Sequence, residues 1–298
     1  MPTLSTEQRS LRSIMWNQFR RHQMAMAGLV VLFLLVFGSV FVSAISPYSP
    51  TDSSMRERRQ PPSLEHPMGT DTLGRDMMTR LFYGGRISLA IGLAATVVGI
   101  TIGTIVGALA GYFGGATDDF LMRLTDLFIS LPRLFMLIIM SLLLRSLDVP
   151  ILKANGNVGG IILILGLLSW TGTARLVRGQ FLGLKEKEFV EAARTLGFGN
   201  LRIVFRHILP NTATPIIVAA TLLVARTIIS ESGLSFLGFG VQPPTPTWGN
   251  MLNAAQDEMR KGNWWMAVFP GLMIFLTVIS INYIGDGLRD ALDPRKIR

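Results

Sequence analysis

Charge disappears from the chain in six long stretches: residues 24–45, 87–113, 127–144 (interrupted by Arg133), 158–174, 208–225 and 263–285. A helix rises 1.5 Å per residue and the hydrocarbon core of a bilayer is about 30 Å thick, so a spanning helix needs roughly 20 mostly apolar residues. The pattern therefore predicts an all-α membrane protein with six transmembrane helices. The shortest stretch, 158–174, has an almost wholly aliphatic centre and a polar end suited to an interface. The first has small residues at Val42, Ser43 and Ala44, as a cleavable leader would. It is nonetheless longer than the roughly 7–15-residue apolar core of a signal peptide, and is read as an uncleaved anchor.

Composition agrees. Of 298 residues, 49% are hydrophobic and 16% charged; soluble domains carry about 25% charged residues. This excludes both an ordinary water-soluble enzyme and a disordered chain. The net charge of +9 points on such a chain to loops facing anionic lipid rather than to nucleic acid. There is no cysteine, so disulfides, thiolate zinc sites and a cysteine nucleophile are ruled out. With the N-terminus in the cytoplasm, sixteen Lys/Arg fall inside and ten outside, and Arg9, Arg12, Arg20 and Arg21 precede the first span. Both termini are thus expected in the cytoplasm. The expected organisation is an inner tail (1–23), a first helix (24–45), an outer loop (46–86), a five-helix body (87–285) and an inner tail (286–298).

Gly99, Gly103, Gly107 and Gly111 recur every four residues in the second stretch, with the period fraying at Gly114 and Gly115. Residues four apart share a helix face, and small residues let membrane helices approach closely, so this stripe is read as a packing groove. An arginine at mid-bilayer costs about 2.5–3.5 kcal/mol on insertion scales. Arg133, just after Pro132, and Arg226, four residues before Ser230, therefore need a wet cavity, a carboxylate or an interface. Arg133 is read as interfacial, with Pro132 starting or kinking its helix. Arg226 and Glu231, near the outer end of the fifth span, are candidates for the translocation path. In the outer loop, His66 to Asp76 lacks the spacing of an EF-hand and is read as a turn followed by a helix start. Leu234 to Gly240 is apolar enough to re-enter the membrane, and the prolines after Gln242 give an extended exit.

The largest inner loop, residues 175–207, holds seven of the sixteen inner basic residues and Glu186, Glu188 and Glu191. Phe189, Ala192, Ala193 and Leu196 fall on one face of a helix over 185–196. Gly197 and Gly199 end it, and a second short helix, 201–208, is expected to stop at Pro210. The loop reads as helix, glycine elbow, helix, which makes a rigid projection.

Glu191-Ala192-Ala193, Gly197 and His207-Ile208-Leu209-Pro210 resemble the EAA loop of bacterial ABC importer permeases, over residues 186–210, with His207 where the general pattern has Ile. Ala174 to Gln180, Gly69-Thr70-Asp71, Gly74-Arg75-Asp76, Ser235 to Gly238 with Pro243-Pro244 and Trp248-Gly249, and Gly285 to Pro294 are similar to the C-type permease subunit of dipeptide/oligopeptide importers. Glutathione and nickel importers share this branch. The resemblance implies a type I ABC importer permease fold with a cytoplasmic coupling helix, in the bacterial inner membrane. It implies partners too: a homologous second permease, two ABC ATPase subunits and an extracytoplasmic peptide-binding protein. ATP and Mg would be bound by the ATPases, with no cofactor in this chain, which has no Gly-x-x-x-x-Gly-Lys-Ser/Thr sequence. The ATPase-coupling residues it implies are Glu191, Ala192, Ala193, Arg194, Leu196, Gly197, Phe198 and Leu201.

Two other classes fit less well. A membrane enzyme would need clustered chemistry, yet His22, His66 and His207 fall in three separate regions, which excludes one metal site. A secondary carrier would show internal repeats or central carboxylates; the six stretches show neither.

Overall fold

In the computed structural model, residues 11–146 and 150–292 are described, with side chains from 16–146 and 156–292. Arg9, Lys153 and the tail from Asp293 to Arg298 lie outside these residues or side chains. Among the described residues the α-helices are α1 (Leu11–Arg21), α2 (Gln23–Ile45), α3 (Met77–Phe113), α4 (Gly115–Ser130), α5 (Arg133–Ser146), α6 (Pro150–Leu167), α7 (Trp170–Leu184), α8 (Glu188–Thr195), α9 (Asn200–Ile203), α10 (Leu209–Phe236), α11 (Trp248–Arg260) and α12 (Trp265–Ala291). Five stretches are long and apolar enough to cross a membrane: α2, α3, residues 156–184, residues 200–236 and α12. The pair α4–α5, bent by 91°, supplies a sixth crossing if counted as one.

That bend divides the third span expected over 127–144 at Pro132, the residue read as starting or kinking its helix. Proline has no N–H to donate and disfavours helical geometry in the residue before it; Leu131 is accordingly extended (φ −87°, ψ 135°), and α5 starts at Arg133. The fourth stretch, shortest in sequence, is the most enclosed span, 56% buried. It continues through Arg175 and Arg178 to Leu184, because both arginines reach carboxylates: Arg178 forks onto Asp118 at 2.5 and 2.6 Å, and Arg175 meets Asp126 at 2.5 Å. The second span likewise begins at Met77, capped by Asp76 accepting from the Thr79 N–H at 2.7 Å. Pro210 does not stop a helix. A π-turn, Val204–Ile208, precedes it and α10 runs on.

α2 shows why bilayer is the solvent of this fold. It presents Val30, Phe33, Leu34, Phe37, Val40 and Phe41 outward, a surface that lipid accepts and water does not. Its other face, with Gly28 and Leu35, packs on α12 and α3. The glycine stripe packs α3 onto α7, as expected. A Cβ on Gly99 would stand 3.0 Å from Ser169, and one on Gly103 2.6 Å from both Thr173 and the Trp170 carbonyl. On Gly111 it would meet Phe181 at 2.6 Å. Gly115 meets nothing within 4 Å, so the groove ends where the period frays.

The loop after α2 is pinned rather than loose. Glu258 of α11 accepts a fork from Arg59 (2.8 and 3.2 Å) and further bonds from Lys261 and Asn263, each at 2.7 Å. His66 and Asp76 pair at 2.9 Å, both buried, in the turn-and-helix-start reading of this motif. The segment after α10 turns back into α11 with Trp248 buried, its indole N–H donating to the Leu81 carbonyl at 2.9 Å.

Candidate functional site

α8 packs against the C-terminal end of α3, α7 and the start of α10. Val190 and Ala193 are buried in a cluster with Tyr112, Val177, Phe181, Ile203 and Ile208. Its C-terminus is closed by two backbone bonds, Gly197 N–H to the Arg194 carbonyl (2.9 Å) and Phe198 N–H to the Ala193 carbonyl (3.1 Å). This is a Schellman ending, and it places Gly197 in the left-handed region at φ 77°. Nothing lies within 4 Å of a Cβ there, so the requirement for glycine is backbone conformation, not crowding. Phe198 then stacks between neighbours: the Arg202 guanidinium lies 4.2 Å from its ring centre and His207 stacks at 5.9 Å. Tyr112 donates to the Asn200 side chain at 2.8 Å, tying α9 to α3.

What remains outside is a mixed apolar and charged face. Leu196 and Leu201 are 72% and 73% exposed, joined by Phe189 and Phe205. Glu191, Ala192 and Arg194 are exposed as well. The face singled out from the sequence is therefore split. Ala193 anchors α8 to the body, whereas Glu191, Ala192, Arg194, Leu196 and Leu201 point away, and Phe198 braces the elbow. Phe205 was missed; the signal was a large aromatic between Arg202 and Arg206 in an otherwise basic stretch.

A second feature lies deeper. A cavity of about 600 Å³ is lined by the bend after α4 (Leu131, Pro132, Arg133), the break between α6 and α7 (Leu168, Ser169) and α10 (Leu222, Leu223, Arg226). Arg133 and Arg226 thus share one space. Arg133 donates to the Ser169 hydroxyl at 2.9 Å. Asp126, seven residues earlier, is taken by Arg175. Because α10 extends to Phe236, Arg226 sits about 15 Å from its C-terminal end at 1.5 Å per residue, farther from the end of its helix than the sequence implied.

Glu231 does not line this cavity. It is fully buried and accepts from Ser235 at 2.7 Å, Ser88 at 3.3 Å and Ser232 at 3.4 Å. The Trp248 N–H donates to Ser88 at 3.3 Å, so the carboxyl group knots α3, α10 and the start of α11. Among the described residues no group of three or more His, Cys, Asp and Glu is placed to hold a metal.

Comparison with known proteins agrees with this geometry. Residues 99–298 match the family model "Binding-protein-dependent transport system inner membrane component", and residues 10–62 match "N-terminal TM domain of oligopeptide transport permease C". The chain is 41% identical over 280 residues to the dipeptide transport system permease protein DppC of Bacillus subtilis, covering 94% of this chain and 84% of that one. It is 42% identical over 281 residues to the glutathione transport system permease protein GsiD of Escherichia coli O157:H7, covering 94% and 89%. Among solved structures, the inward-facing methionine ABC transporter MetNI contains a chain that superposes with TM-score 0.58 at 20% identity, over 73% of this chain and 98% of that one. That likeness establishes the ABC importer permease fold. Family match, relatives and fold agree that the chain is a multi-pass membrane permease subunit, and it belongs to the family of binding-protein-dependent transport system inner membrane components, in its peptide-permease branch.

Proposed function

We propose that this chain forms one half of the pore of an ATP-driven importer that moves di- and oligopeptides across the cytoplasmic membrane by alternating access. A homologous second permease forms the other half, two ABC ATPase subunits bind ATP and Mg below, and an extracytoplasmic binding protein delivers the peptide above. Both termini lie in the cytoplasm, the chain itself hydrolyses nothing, and α8 is the lever the ATPase grips. The observation that carries this reading is the exposed apolar set of Phe189 on α8, Leu196 at its end, Leu201 on α9 and Phe205 in the π-turn that follows, on a projection whose other side is locked to three spans. A partner that buries such a set gains the hydrophobic contribution of each residue, and a rigid lever passes its motion on. Glutathione, a tripeptide derivative, is a second substrate reading, favoured by the equal similarity to the glutathione permease.

Because the chain has no cysteine, a single Ala192→Cys places the only thiol on the exposed side of α8. With the importer assembled from all its subunits, this thiol should cross-link to a cysteine introduced in the ATPase groove and change its yield when ATP is added. Labelling of Ala192→Cys by a membrane-impermeant thiol reagent from outside intact cells would overturn the reading.

A further inference from the structure

The cavity between the bend after α4, the break between α6 and α7, and α10 carries a more specific assignment, which rests on the importer reading above. Its walls are formed where helices fail. Leu131 and Pro132 interrupt the α4–α5 crossing and Leu168 and Ser169 interrupt the α6–α7 crossing. Non-helical backbone at membrane depth is tolerated only where it is enclosed by protein or borders a wet space. Both breaks open onto the same 600 Å³ volume, within the range of small-molecule sites.

Two guanidinium groups enter that space. Arg133 and Arg226 line the same cavity, and like charges that share a space repel. Among the described residues, no Asp or Glu lines the cavity, and neither arginine forms an ion pair. Ser169, a neutral acceptor already donating to the Leu165 carbonyl at 2.5 Å, takes one Arg133 donor. Arg175 and Arg178, on the next turns of the same crossing, each have a carboxylate of their own. The two cavity arginines are therefore set apart: forked, cationic and without a protein anion, Arg133 held by Ser169 and both open to the cavity. Planar guanidinium groups match a carboxylate by paired hydrogen bonds. The remaining lining, with Thr171, Thr173, Met136 and Leu223, is a mixed apolar and hydroxyl wall.

We propose that Arg133 and Arg226 form an anion subsite on the translocation path that receives a carboxylate of the passing substrate after its release from the binding protein. Ser169 positions Arg133. The site favours substrates with a free carboxylate, such as a dipeptide or glutathione.

The test is uptake of labelled Ala-Ala and glutathione by the whole importer in proteoliposomes, with the loaded binding protein inside saturating conditions and ATP hydrolysis measured in parallel. Arg133→Gln and Arg226→Gln should each cut the amount transported per ATP at least tenfold while the ATPase rate stimulated by loaded binding protein stays within twofold. Arg226→Lys, which keeps the charge, should recover uptake to within about threefold of the parent and guards against a folding defect. Equal transport per ATP in parent and glutamine variants would overturn the subsite and leave the importer reading intact. Absence of ATP-driven uptake by the parent protein with either probe would overturn both. Each arm is run in phosphatidylcholine vesicles and in vesicles with added phosphatidylglycerol. A defect seen only with phosphatidylglycerol would assign the arginines to lipid phosphate and overturn the proposal.

Discussion

The backbone of Gly107 lies so close to Ala174 that a Cβ added to the glycine would stand 2.4 Å from the Ala174 carbonyl oxygen. Carbonyl oxygens cannot rotate away as a side-chain tip can, so the two helices would have to separate. Gly107→Ala is expected to destabilise the permease by about 1–3 kcal/mol, the usual range for overpacking. Gly183→Ala, on the same α7 but with nothing within 4 Å, should be neutral or slightly stabilising. Thermal unfolding of the two variants in detergent checks the difference.

The elbow behaves differently, because its glycine is conformational. Gly197→Ala keeps open space around the new methyl but holds a φ of 77°, at a cost of about 1–2 kcal/mol; it should weaken coupling without abolishing it. Gly197→Pro cannot reach that φ and removes the N–H bonded to Arg194. Together with Glu191→Lys, which reverses an exposed charge on α8, it is expected to uncouple ATP hydrolysis from uptake while membrane insertion remains normal. Parallel assays of uptake and hydrolysis on the assembled importer would reveal this, and normal transport by both variants would refute a coupling role for α8.

Glu258 gives the loop after α2 a defined response to acid. The Arg59 fork, then Lys261, hold its carboxyl at about 2 against burial, with Asn263 adding a further bond, compared with an ordinary 4.5. A carboxyl depressed by folding contributes stability that is complete above the unfolded value and is lost as pH falls through the folded one. Docking of the loop over 46–76 should therefore be unchanged from pH 7 to about 5 and weaken between about 4.5 and 2. Amide exchange of that loop against pH checks this, and Glu258→Gln should loosen it already at neutral pH.

Glu231 is expected to tolerate loss of charge better than loss of shape. Glu231→Gln keeps an acceptor for the Ser235 and Ser88 hydroxyls, whereas Glu231→Ala leaves a buried void and several unpaired hydroxyls. Unsatisfied buried groups cost about 1–3 kcal/mol each. Yields of folded protein after detergent extraction should fall in the order parent, Gln, Ala.

How much of this was legible in the chain depends on whether the signal was local. The apolar stretches, the Gly99 to Gly111 groove, the elbow at Gly197 and the turn leading to the Asp76 cap follow from spacing and backbone preference, and they stand in the structure. Helix ends were placed too early wherever a charge looked out of place. Arg175 and Arg178 read as the start of a loop because Asp118 and Asp126, their partners on α4, are distant in sequence. Arg133 and Arg226 could not be joined from sequence for the same reason; only the bend at Pro132 brings them to one space. Pro210 read as a stop because a π-turn, which takes up the missing donor, has no sequence period of its own.

The bend after Ser130 also shapes the lipid around the protein. α5 has 14 residues, so it extends about 21 Å, roughly a third short of the hydrocarbon thickness. α5 alone therefore does not cross the hydrocarbon: the crossing is completed by α4, and the ends of so short a helix are accommodated by local thinning of the bilayer or by a neighbouring subunit.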